Sequence, residues 1–169
     1  MFFHILLTAH IILGIGCLVT GLIAMIAAKR KGVHTRFGEI YHALYVGIAV
    51  TAIILSLLRW SKDAYLFYIA IFSYGNAFLG YRAKKRRANN WLTSHIAGMI
   101  GSYIGAVTAL MVNVVPLIPV WNTLYPPLIN WFLPTIIGTP IIFHLVNKHV
   151  KSKLRSAPAN VKRSGPGME

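Results

Sequence analysis

The residues best able to do chemistry here are histidines. The chain holds seven of them among 169 residues, against three acidic residues and a single cysteine, Cys17. His42 lies six residues after Arg36, His95 eight after Arg87, and His144 four before Lys148. On helices these offsets are about 9, 12 and 6 Å from basic clusters, at roughly 1.5 Å per residue. Neutral imidazole ligates zinc, copper, nickel or haem iron. Three at one depth can build a metal site from His42, His95 and His144, and two can hold a haem b axially. His34, in the adjacent basic loop, is a further ligand candidate. Glu39 stands one turn before His42 and shares its face. It can orient that ring, ligate, or serve as catalytic base at a metal-bound water. The competing reading is that these histidines only bond between helices or reach headgroups. No HExxH, CxxC or paired-carboxylate motif accompanies them.

The elements that position these groups follow from composition. Hydrophobic residues make up 56% of the chain, too many for a soluble domain of this size. A net charge of +14 could suggest a nucleic-acid partner. The basic residues, however, sit in short clusters between long apolar runs, the pattern of membrane-protein loops. The expected partners are the lipid bilayer and anionic headgroups, with no nucleic acid. The expected fold is an all-α integral membrane protein with five transmembrane helices, over about 3–27, 38–58, 64–82, 92–115 and 127–147. Each approaches or exceeds the roughly 20 residues that cross a bilayer core. Fifteen of the seventeen Lys and Arg residues fall on one side; only Arg59 and Lys62 fall on the other. This predicts an N-terminus outside and a C-terminus in the cytoplasm. The first span lacks a basic n-region, so it reads as a retained helix and not a signal peptide. Residues 148–169 read as a basic, disordered cytoplasmic tail. The outer segment "VPLIPVWNTLYPP" reads as interfacial.

The fourth span carries polar residues. His95, Gly98, Ser102, Ala106, Ala109 and Asn113 share one stripe, and Gly101, Gly105 and Ala109 form a ladder of small residues beside it. Such ladders allow close helix approach, within a bundle or a homo-oligomer. In the third span, Ser73, Asn76 and Gly80 share a face suited to interhelical hydrogen bonding. Pro134 and Pro140 predict a distorted fifth span.

"HIILGIGCLVTGLIAMIAAKRKGVHTRFGEIYHALYV" resembles the opening of a family of small, uncharacterised bacterial membrane proteins. The resemblance rests on His10, Gly14, Gly21, Lys31, Gly32, His34 and Gly38. "HIAGMIGSYIGAVTAL" is similar to a later family element, through His95, Met99, Ser102 and Tyr103, and "WFLPTIIGTPII" is similar to close relatives. The resemblance implies a bacterial inner-membrane protein and points at His10, His34, His95, Ser102 and Tyr103. Its pattern leaves out His42 and His144, so a site on His34 and His95 is an alternative geometry. Ser102 and Tyr103 join His34, His42 and His95 as cofactor-binding candidates. It implies no activity.

The functional expectation is therefore a histidine-liganded metal or haem protein of the membrane, redox-active toward a quinone in one version. The alternatives are a cofactor-free transporter or lipid- or partner-binding module, and an intramembrane zinc hydrolase using Glu39.

Overall fold

The computed structural model describes residues 1–28, 32–87, 89–118, 120 and 126–156, with side chains as far as Ser152. Among them all regular structure is helical. The helices are α1 (Phe2–Ile26), α2 (Val33–Leu58), α3 (Trp60–Arg86), α4 (Trp91–Val114) and α5 (Ile129–Ser156), with a short 3-10 turn at Val115–Leu117. Four of them, α1, α2, α4 and α5, are long and apolar enough to cross a membrane. The third is equally long, but its tyrosines, Ser73 and Asn76 dilute its apolar character. The exposed surface of the helices is dominated by large apolar side chains such as Ile12, Phe72, Ile136 and Phe143. That surface suits a lipid environment.

Three helices outrun the expected spans, α3 by four residues at each end of the expected 64–82. α2 begins at Val33, five residues before the apolar run. α5 continues to Ser156, so the basic tail is helical over its first nine residues, beyond the expected limit of 147. The α2 and α5 extensions mix polar or basic residues with a few apolar ones, and helix propagates into them once a neighbouring turn exists. Pro134 and Pro140 lie inside α5 without ending it. Most of the interfacial segment, and residues 157–169, fall outside the described residues.

Consecutive helices pack side by side. The most extensive seams are α3 with α4 and α1 with α2, then α2 with α3 and α4 with α5. Arg59 alone separates α2 from α3. It pairs with Asp63 at 3.4 Å and lies 5.4 Å from the Phe3 ring, tying the start of α1 to that turn. The α3–α4 seam is a backbone crossing. A Cβ placed on Gly98 would lie 2.6 Å from the Asn76 carbonyl and 2.7 Å from the Gly80 Cα. The interhelical bonding expected of Ser73 and Asn76 appears for Ser73 alone, toward Tyr45 of α2 and not across this seam. Both donate back to Ile69 and Phe72 within α3, and they pack on Gly105 and Gly101 of α4 instead.

The core cluster is Cys17, Tyr41, Tyr45 and Ala77. Gly21 admits the Tyr41 and Tyr103 rings against α1; a Cβ there would meet Tyr41 at 2.8 Å.

Candidate functional site

Equal depth along a helix does not give equal direction, and the three-histidine set is not assembled. No group of three or more His, Cys, Asp or Glu residues able to hold a metal occurs among the described residues. His42 faces α3. Its ring stacks on Tyr81 with centroids 4.0 Å apart and planes 1° from parallel, and Tyr74 lies beyond at 6.2 Å. Its Nδ1 is buried and makes no hydrogen bond. His144 is exposed on α5, beside Asn147, Lys148 and Lys151. Because α5 packs chiefly on α4, nothing carries His144 toward His42.

The structure instead brings His34 to His95. Their ring centroids are 6.4 Å apart with planes at 90°. His34 sits in the first turn of α2, and its Nδ1 lies 2.7 Å from the Ala24 carbonyl near the end of α1. His95 sits in the second turn of α4, and its Nδ1 lies 2.9 Å from the Gly80 carbonyl of α3. A carbonyl can only accept, so Nδ1 donates in both rings. The lone pair of each imidazole therefore resides on Nε2, the tautomer that a metal ligand requires. Both rings are partly buried.

Local sequence explains the placement. Gly32 adopts φ 122°, ψ −126° at the start of α2, a region open essentially to glycine. It turns the chain so that His34, two residues on, reaches back to α1. On the α4 side, Gly98 lets α4 lie against α3 closely enough for His95 to meet a carbonyl. Trp91 lies one turn below His95 at 6.5 Å, with the Arg87 guanidinium 5.6 Å from its ring.

Ser102 and Tyr103, expected to face a cofactor, are used differently. Ser102 is fully buried and donates to the Met99 carbonyl at 2.8 Å. Its Oγ accepts from the Tyr41 hydroxyl at 2.8 Å, and its carbonyl accepts from the Tyr45 hydroxyl at 2.7 Å. Tyr103 donates to the Leu18 carbonyl at 3.3 Å. These bonds tie α4 to α2 and α1 about 10 Å along the helix from His95. The polar stripe of α4 thus meets side chains and backbone of its neighbours over this stretch. Tyr41 and Tyr45 were not singled out from the sequence; their i, i+4 spacing on α2 was the available signal.

Glu39 is about half exposed and pairs with Lys85 of α3 at 3.3 Å. The Lys85 ammonium is held above the usual lysine range, first by the Tyr81 side chain and then by Glu39. Glu39 is thus engaged at the surface toward α3. His10 makes a similar part-buried contact, with Nδ1 2.8 Å from the Thr51 hydroxyl of α2.

Comparison of the chain with family models, curated proteins and solved structures gives no match.

Proposed function

We propose that this is a five-span membrane protein, N-terminus outside and C-terminus cytoplasmic, that holds a transition-metal ion between His34 and His95. The fifth span is α3. Its support is packing: α3 lies along both α2 and α4, and a single residue links it to α2. The orientation is supported by the basic residues that crowd one end of the bundle, including Arg36, Arg82, Lys84, Lys85 and Arg86. The histidine pair lies at that end.

One observation carries the metal reading: two imidazoles from different helices, each fixed by an Nδ1–H bond to a backbone carbonyl, stand 6.4 Å apart. An ion between two such rings spans about 2.1 Å of Zn–N bond and about 1.1 Å of ring on each side, or about 6.4 Å in all. Closing toward a tetrahedral angle shortens this by roughly 1 Å, a small movement of either helix. Zinc and copper suit neutral imidazole best among small ions. Two protein ligands leave coordination positions for water or a substrate, which favours an ion-handling or redox role over a closed structural site.

The test is elemental analysis of detergent-purified protein after loading with zinc or copper(I) and removal of excess ion. One ion per chain is expected, lost in both His34→Ala and His95→Ala and kept in His42→Ala and His144→Ala. Full retention in the first two variants, or no bound ion in the parent protein, would end this reading.

A further inference from the structure

Beside the Gly80–Gly98 crossing, α3 and α4 enclose an open groove of about 410 Å³. Arg82, Arg86 and Ser94 line one half of it, and Leu79, Ala97 and Gly98 the other. Arg82 and Arg86 are four residues apart, so both guanidinium groups rise from one face of α3. Both side chains are exposed, and Arg82 is propped 5.9 Å from the Phe78 ring.

Among the described residues these arginines have no acidic partner. The chain has three acidic residues in all. Glu39 is taken by Lys85 and Asp63 by Arg59, while Glu169 lies outside the described residues. Among the described residues no carboxylate pairs with Arg82 or Arg86. Guanidinium matches phosphate oxygens in a bidentate fork. Ser94, in the first turn of α4, lines the same groove and its hydroxyl can donate to an anion. The other half is mainly apolar, walled by Leu79, Ala97 and Gly98 with Asn76 as its one polar lining residue, and Leu79 is 61% exposed. Charged and apolar halves in series match a headgroup phosphate followed by its glycerol and acyl chain.

We infer that this groove is a binding site for one phospholipid with an anionic headgroup, its phosphate held by Arg82, Arg86 and Ser94 and its chain laid along Leu79 and Ala97. The inference rests on α3 and α4 lying in a membrane and is independent of the histidine pair. Failure of the metal test leaves it standing.

The experiment is native mass spectrometry of the full chain, delipidated in neutral detergent and titrated with dioleoylphosphatidylglycerol. One tightly held lipid per chain is expected. Arg82→Gln with Arg86→Gln should weaken retention about thirtyfold, at the usual strength of two basic groups toward an anionic lipid. Lys84→Gln with Arg87→Gln removes equal charge outside the groove and should change retention by less than about threefold. Ala97→Leu keeps the charge, fills the apolar half and should release the lipid. Equal loss in the two charge variants would overturn the proposal, as would retention in Ala97→Leu. Inorganic phosphate added alone should not displace the lipid at equal concentration. If it does, the apolar half contributes nothing and the site takes free phosphate instead. An unchanged helical spectrum and elution volume establish that each variant is folded.

Discussion

His10 and His95 make nearly the same bond and stand in different company. Each lies within a long helix, and each directs Nδ1 to an oxygen of the neighbouring helix, at 2.8 Å for His10 and 2.9 Å for His95. Thr51, the partner of His10, also donates to the carbonyls of Gly47 and Ile48, so its hydroxyl accepts from the imidazole. Both rings are then Nδ1–H tautomers. The difference is what surrounds them: His95 faces a second imidazole fixed in the same way, and no ring contact joins His10 to another histidine among the described residues. A single anchored histidine ties two helices. A pair of them can share an ion.

The strongest way to break this comparison is to remove one ring at a time. His34→Ala or His95→Ala should lower metal affinity at least a hundredfold, more than the loss of an outer-shell partner. His10→Ala should leave affinity unchanged in the same titration. The next effect comes from the seam that positions His95. Gly98→Val places methyl groups on the α3 backbone and should destabilise the bundle by about 3 kcal/mol, as overpacking does. Gly14→Val, at a position with nothing within 4 Å of an added Cβ, should leave the detergent melting temperature nearly unchanged.

A smaller effect is expected at the α2 entry. Gly32→Ala forces a side chain into a backbone region that costs about 1–3 kcal/mol, and it should loosen His34 before it unfolds anything. Metal affinity should fall about tenfold with the melt shifted by a few degrees. Below this stands His10→Ala, expected to cost about 1 kcal/mol of stability through one lost interhelical bond. Glu39→Gln closes the series. It should change neither metal content nor any metal-dependent hydrolysis, because its carboxylate is turned toward Lys85. Loss of hydrolysis in that variant would revive Glu39 as a base.

Much of the bundle is readable from the chain, because apolar length and basic punctuation are one-dimensional signals. The apolar runs of α1, α2, α4 and α5 could be placed that way. The small face of α4 was legible too, since Gly101 and Gly105 repeat at helical spacing and meet α3. The histidine partnership was legible only as an alternative, because the family resemblance pointed at His34 and His95 while depth favoured another set. His42, His95 and His144 share a depth, which periodicity reports. Their directions depend on which neighbour each helix face meets, which periodicity along one helix does not. His34 looked like a loop residue because α2 starts before its apolar run. The tail beyond Asn147 looked disordered because composition ignores the helical turn already formed upstream. Arg82 and Arg86 looked like markers of topology alone; their common face becomes meaningful only beside Ser94 and Ala97 of α4.

The Gly80–Gly98 crossing has a further consequence, in entropy. Between helices in lipid there is no hydrophobic drive to associate, so close packing must suffice. A leucine seam would freeze side chains at a cost of about 0.5–1 kcal/mol each. At this crossing neither residue has a rotamer to lose, and the backbones meet directly. Assembly of α3 against α4 there gives up no side-chain freedom, and the contact offers only one way to fit.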